Sequence, residues 1–437
     1  MAGMVAVASY ATGPAILIAM VPMLAIALCY QRLNLFEQNC GGPYVWAARA
    51  ISPYVGYLVA WSMLVGFVLG SVSNILPLGP AMLAFVGLNP GGVAGNVISA
   101  SVFGLAMTVV AAIGIRATAR LQMLFALVEY AVLLAFSVLG FIAVFVRHWH
   151  GTVHPSASWA TLSGIGGRGS LAGAMLVAIY LFTGWDASCY VNEETENRAR
   201  NPGRAVLISV AILGPLYAWI FVSLQGAVPA KALQAHAGDA LVYIAQVLAG
   251  NNWAKAMILA LVLSVLGTVQ GTIVAMSRVT YAMGSDRLLP RPFAMVHHRF
   301  RTPLVASFIW GAVMIVIADL YVVSSSLASA FNDVVNAEAV AFVLFYIATA
   351  LSTVVYYRPL LTRSVLDALL VGVVPLGGAA MLGWVLYKSL PTLGDLERWT
   401  LSGIGAAGLV LMFVTARVAK APFFSMARSV YSPDDST

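Results

Sequence analysis

Charge is what this sequence lacks. Only 9% of its 437 residues are Asp, Glu, Lys or Arg, against about a quarter in an ordinary soluble chain, so a water-facing surface cannot be assembled from it. That deficit excludes soluble enzymes, nucleic-acid binders and disordered proteins. Cysteine is also scarce: Cys29, Cys40 and Cys189 are odd in number and give no disulfide framework. Chemistry-bearing clusters are missing as well. His297 and His298 sit in an Arg-rich loop with no acid or cysteine at ligand spacing, so no metal site is read there. No glycine-rich phosphate loop ending in Lys-Ser/Thr occurs, nor a Ser–His–Asp arrangement, so ATP-driven transport and enzymatic activity have no support and no cofactor is expected. Neither a cleavable signal peptide nor a lipidation motif is read at the ends.

What is present is apolar sequence, 61% of the chain. A spanning helix needs about 20 mostly apolar residues, and such runs fall at 12–31, 55–83, 95–115, 119–146, 171–191, 203–229, 254–277, 302–322, 327–357, 365–389 and 398–420. They are continuous, without the period-two alternation of barrel strands, which predicts an all-α polytopic membrane protein of about eleven spans. Of the 23 Lys and Arg, only Arg147, Arg168, Lys231, Lys255, Lys388 and Arg398 fall in one set of alternate loops. The other set and the C-terminal tail hold the remainder, which places that set and the tail (421–437) in the cytoplasm. Residues 1–11 are apolar but too short to cross a bilayer at 1.5 Å per residue. They are either an outside terminus or the outer half of an earlier helix.

Three stretches resemble the amino acid–polyamine–organocation permease superfamily. The first runs from Gly13-Pro14 through ALCYQRLNLFEQNCGGPYVWAARA (27–50), with Gly41-Gly42 and Tyr44-Val45. The second is YLFTGWDASCYVNEETENRARNPGRA (180–205), and the third is SRVTYAMGSDRLLPRPFAMVHHRFRTPLVA (277–306), with GIRATARLQ (114–122) as weaker support. The resemblance implies a LeuT-like inverted-repeat bundle of five plus five helices with two more behind. Residues 1–146 are then the remnant of the first repeat, 171–357 the second and 365–420 the last pair, in a single transporter domain. By the same alignment most of the family's first helix, with its Gly-Ser-Gly break, is absent, leaving a half-helix stub that ends at Gly13-Pro14. The implied function is a secondary transporter of amino acids or related amines in the cell membrane, proton-coupled or exchanging. The implied partners are a small-molecule substrate and membrane lipid, without nucleic acid. A membrane sensor, an assembly partner or an inactive remnant of the same fold is the competing reading, because fold alone does not establish function.

Tyr180, Phe182, Thr183, Gly184 and Trp185 are the candidate substrate-binding residues. A glycine weakens an apolar helix, and exposed backbone within a membrane survives only beside protein or a cavity. The resemblance implies that this segment is unwound and offers backbone groups to an amine, with an aromatic near Tyr180 or Phe182 as a cover. The plain alternative is a helix–helix contact at Gly184. Asp186, two residues on, is a candidate for coupling or gating, or a structural acid bonded to nearby backbone. Glu129 lies about 12 Å into its span and is either a proton site or a buried acid bonded to a helix neighbour. It stands near where proton-coupled relatives carry a lysine, so their mechanism does not transfer. Ser264, Thr268 and Thr272 share one helical face and either line a pathway or bond back to preceding carbonyls. Asn336 and Glu338, with Asp333, resemble a pathway lining. In the loop after the sixth family helix, Glu193, Glu194 and Glu196 precede Arg198, Arg200 and Arg204, a pattern of inner-gate ion pairs or simply a solvated loop. Arg32 and Glu37-Gln38 depart from the family pattern in the first loop.

Overall fold

The computed structural model describes residues 1–87, 92–162, 165, 168–236, 239–324 and 327–432, and among them all regular structure is helical. Lipid offers no hydrogen bonds, so each spanning segment must satisfy its own backbone, and a helix does so. Among the described residues ten helices are long and apolar enough to cross a membrane: Thr12–Phe36, Pro53–Leu83, Val93–Ile113, Ile115–Val146, Asn201–Gln225, Asn251–Ser285, Leu304–Val323, Val334–Tyr356, Val365–Ser389 and Leu401–Val418. The expected span at 171–191 is present in two pieces. One is an α-helix, Arg168–Leu181; the other is a 3₁₀ segment, Ala187–Glu194. The backbone leaves the helix between them, so no single continuous helix spans this run.

In chain order, the elements used below are α1 (Ala2–Ala8), α2 (Thr12–Phe36), α3 (Pro43–Ala50), α4 (Pro53–Ile75), α5 (Leu78–Phe85), α6 (Val93–Ile113), α7 (Ile115–Phe141), α8 (Arg168–Leu181), α9 (Asn201–Gln225), α10 (Ala230–Ala235), α11 (Ala240–Ala249), α12 (Asn251–Ser285), α13 (Leu304–Ser324) and α14 (Leu327–Tyr356). The final pair is α15 (Val365–Ser389) and α16 (Leu401–Val418). The expected stub is shorter than the sequence suggests. α1 stops at Ala8, Ser9 turns at φ 53°, and Gly13-Pro14 lies in the first turn of α2. That turn tolerates proline because its N–H groups have no intrahelical acceptor.

Burial separates the inner helices from the lipid-facing ones. Two-thirds of the apolar window is buried in Pro53–Leu83 and in Val334–Tyr356, and 61% in Thr12–Phe36, but only 6% in Leu401–Val418. α2 and α9 pack antiparallel along their length through small residues. A side chain added at Gly13, Gly214 or Gly203 would meet Val222, Met20 or Gln31 at 2.5, 2.3 and 2.9 Å respectively. Such close backbone approach is how helices associate where no hydrophobic effect operates between them. α4 and α14 pack antiparallel as well, with Ser62 Oγ donating to Ala341 O at 2.8 Å and Gly66 against the Phe342 ring. The interrupted span packs against both pairs, its α-helical piece on α2 and α14 and its 3₁₀ segment on α9.

One end of the bundle is tied by polar contacts from distant parts of the chain. Glu37 pairs with Arg49 at 3.0 Å, and Arg278 of α12 pairs with Glu194 at 2.8 Å. Cys40 N donates to Glu193 Oε1, and Asn34 Nδ2 donates to the carbonyls of Arg198 and Ala199. The C-terminal segment returns to this face: Ser429 N donates to Arg49 O, and Tyr431 N to Tyr356 O. The expected pairing of Glu193, Glu194 and Glu196 with Arg198, Arg200 and Arg204 is not what forms. Those arginines are exposed or follow a tight turn at Asn197 (φ 50°). Glu193 and Glu194 reach across to α12 and to the segment before α3 instead.

Candidate functional site

The interruption is built from few residues. Phe182 N and Thr183 N still bond back to Ile179 O and Tyr180 O at 3.0 Å each, and at Gly184 the chain adopts φ 91°. That conformation suits glycine and strains other residues. The space around Gly184 is open: a side chain built there meets nothing within 4 Å. Ala187 N then bonds Gly184 O and the 3₁₀ segment begins.

Two buried acids flank the break. Asp186 is fully buried and accepts hydrogen bonds from Tyr30 of α2 at 2.9 Å and from Tyr190 of the 3₁₀ segment; its Oδ1 has no partner. Trp185 packs edge-on to Tyr30 with centroids 5.1 Å apart and lies 5.6 Å from the Tyr346 ring of α14. Asp186 thus sits among phenols and an indole, and it joins α2 to the inner part of the interrupted span.

Glu338 of α14 stands on the other side, 2% exposed. Ser73 Oγ of α4 donates to its Oε2 at 2.9 Å, and Thr183 Oγ1 lies 3.4 Å from its Oε1. Gly70 leaves room for it, since a Cβ there would stand 2.8 Å from Oε1. Among the described residues no cation forms an ion pair with Glu338. An isolated charge in such a place is costly. The carboxyl, the two hydroxyls and the end of α8 form one polar group beside the break.

The candidates named from the sequence distribute unevenly around this centre. Thr183, Gly184, Asp186 and Glu338 come together, and Tyr180 lies half-buried close to Glu338 and Ser73. Phe182 is fully buried, 5.8 Å from the Tyr217 ring of α9, and Trp185 is packed into the aromatic cluster. Asn336 is two residues from Glu338, hence on another face of α14, and is half-buried. The side chain of Asp333 lies outside the described residues. Glu129 of α7 and Ser264 of α12 line a separate cavity of about 190 Å³ with Leu133, Leu241, Met257 and Leu261. Thr268 and Thr272 donate to the carbonyls four residues back, at 2.9 Å each, the bonding that such residues adopt within membrane helices. Among the described residues no group of three or more metal-ligating side chains forms. Reading the sequence missed Ser73, Tyr30, Tyr190 and Tyr346. Ser71, Ser73 and Asn74 in one apolar run were a visible signal for the first of these.

Comparison with known proteins gives the chain its context. The family profile described as "Amino acid permease" matches residues 1–431. The chain is 25% identical over 327 residues to the methylthioribose transporter of Bacillus subtilis (strain 168), an alignment that takes in 70% of this chain and 68% of that protein. It is 27% identical over 315 residues to Asc-type amino acid transporter 1 of Mus musculus, covering 68% of this chain and 56% of the relative. It is 25% identical over 331 residues to cationic amino acid transporter 4 of Homo sapiens, covering 70% and 50%. The alignment thus spans about two-thirds of the bacterial relative and about half of the mammalian ones.

Proposed function

Because this chain belongs to the amino acid permease family, we propose that it is a secondary transporter that moves an amino acid or a related amine by alternating access. The interrupted span between α8 and the 3₁₀ segment is its substrate site. The observation that carries this reading is the break at Gly184, which leaves backbone groups and open space beside two buried acids. A helix interrupted in mid-bundle has backbone groups that helix geometry no longer satisfies, and a polar solute can satisfy them. An ammonium group suits the site, since carbonyls at the end of α8 and the Glu338 carboxyl are acceptors. Thr183 and Tyr180 complete the lining, and Asp186 holds the inner half of the span in place.

In this reading the chain divides as inverted repeats, residues up to 146 against 171–357, with 365–420 added outside. Rocking of the two bundles moves the site between the membrane's faces, energised by a proton gradient or by exchange. The tied end, with Glu37–Arg49, Glu194–Arg278 and the returning C-terminal segment, is the cytoplasmic gate of a protein of the cell membrane. The excess of Lys and Arg in that set of loops supports the orientation.

The test is uptake of labelled alanine, arginine and putrescine into proteoliposomes holding the purified chain. Saturable uptake that Gly184→Leu abolishes, with the variant still inserted and folded, supports the reading. Absence of saturable binding and uptake for every probe, with and without a proton gradient, overturns it.

A further inference from the structure

Ser73 and Thr183 each own one hydroxyl hydrogen, and each has two acceptors in reach. Ser73 Oγ lies 2.9 Å from Gly70 O and 2.9 Å from Glu338 Oε2. Thr183 Oγ1 lies 2.8 Å from Tyr180 O and 3.4 Å from Glu338 Oε1. A hydroxyl donates one hydrogen only, so the protonation of Glu338 decides which acceptors are served. With a proton, the carboxyl donates to Ser73, Ser73 donates to Gly70 O, and Thr183 keeps its bond to Tyr180 O. Both hydroxyls and both carbonyls are then paired, and only Glu338 Oε1 has no donor. Without the proton, both hydroxyls turn to the carboxylate. Gly70 O keeps Asn74 Nδ2 at 2.7 Å as a partner, and Tyr180 O keeps only the Thr183 amide at 3.0 Å. Loss of the proton therefore produces two things together: a negative charge, and a carbonyl with a spare lone pair on the last turn before the break.

We propose that Glu338 is occupied alternately by a proton and by the substrate's ammonium group, which makes the protein a proton/amine exchanger. The ammonium needs the charge and the freed carbonyl, and both exist only after the proton has left. The step balances simply: the carboxyl O–H bond breaks, the proton passes to water, and the ammonium takes its place beside the carboxylate. Competition for one buried group sets the sign of coupling, and it is reciprocal, since each ligand weakens the other by the same factor. A carrier that reorients with one or the other bound moves protons one way and amines the other. The titratable groups around Glu338 are the phenols Tyr180 from α8 and Tyr346 two turns along α14, with the second buried acid, Asp186, also beside Tyr346. The hydroxyls come from α4 and the break, and no described cation pairs with the carboxyl.

This inference rests on the transport reading above, and the experiment separates the two. Binding of arginine, putrescine and alanine to the purified full chain is measured by calorimetry in two buffers of different ionisation enthalpy, across a pH series. The expected result is release of a proton on binding, with affinity falling up to about tenfold per pH unit where Glu338 is protonated. Glu338→Gln is expected to bind more weakly, without proton release or pH dependence, while Glu338→Asp retains both. Thr183→Val leaves the Tyr180 carbonyl with only the backbone amide of residue 183 at every pH, so it narrows the span of affinity between acid and alkaline limits. In proteoliposomes an inward proton gradient should drive amine outward. Binding without proton release, or an unchanged pH profile in Glu338→Gln, overturns the exchange and leaves the transport reading standing. If no probe binds or moves in the unmodified protein, the transport reading itself falls and the exchange with it.

Discussion

Tyr30 of α2 and Asp186 of the interrupted span are joined by a hydrogen bond of 2.9 Å between residues 156 positions apart. Both side chains are fully buried, and Tyr190 supplies the other donor to the same carboxyl oxygen. Tyr30→Phe removes one donor and keeps the ring that packs on Trp46 and Trp185. A buried polar group that loses a partner costs about 1–3 kcal/mol. The variant should therefore unfold at lower temperature in detergent, and Tyr190→Phe should behave likewise. If neither lowers the unfolding temperature, the triad does not hold the span.

Gly184 provides a separate test, because conformation and space make opposite demands there. The surroundings are open, but φ is 91°, so the penalty on a side chain comes from the backbone alone. Strain at such a position costs about 1–3 kcal/mol. Asn tolerates positive φ better than β-branched residues do, so Gly184→Asn should retain more folded protein and more transport than Gly184→Val. Thermal unfolding and uptake, measured side by side on the two variants, check this order.

Which parts of this arrangement could be read in the sequence follows from the distance between partners. Ten of the spans are each written in one continuous apolar run, and their helices appear close to where those runs predict them. The interruption was marked by Gly184 among polar neighbours, but the shape of its inner half, a 3₁₀ segment from Ala187 to Glu194, was not. The role of Ser73 was illegible because it depends on α4 lying against α14, a contact between residues 265 positions apart. The partners of the loop acids were illegible for the same reason. The sequence shows only that acids at 193–196 precede arginines at 198–204, as ion pairs or as a solvated loop, whereas packing brings Arg278 from α12 to Glu194.

Asp286 carries a pH dependence that can be worked out in sign. It lies just beyond the end of α12 and accepts a hydrogen bond from Tyr44 Oη at 2.9 Å. Burial pushes its carboxyl above the usual carboxylate range, with Tyr44 and Arg49 opposing the shift less strongly. The folded protein thus holds this proton more tightly than the unfolded chain does, and folding gains stability as pH falls through the raised value. Above that value the ionised group is a burden, which the negative end of α12 adds to. Asp286→Asn should raise the unfolding temperature at neutral pH, and the difference should shrink as pH is lowered. A constant difference across the pH series would assign the effect to packing rather than to charge.

Arg278 and Glu194 make the last case, in which removal of either partner differs from removal of both. The Arg278 side chain is 3% exposed, and beyond Glu194 its Nη1 bonds Ser277 Oγ at 3.0 Å while Nη2 has no partner. Glu194 is more open, at 28%. Breaking a fully buried pair by removing one partner costs about 3–5 kcal/mol, because a charge is left without compensation. The access of water to Glu194 lowers the figure here, and the asymmetry fixes the order of the variants. Glu194→Gln strands the buried guanidinium and should be the more damaging single change. Arg278→Met leaves only a partly solvated acid, and the double variant should recover much of the loss caused by Glu194→Gln. A double-mutant cycle on unfolding temperature reads the coupling directly. In the proposed transport cycle the same cycle on uptake should move with it, since this pair ties the 3₁₀ segment to α12 and must part when that end opens. Single variants that add without coupling would mean that the pair is solvated and holds nothing closed.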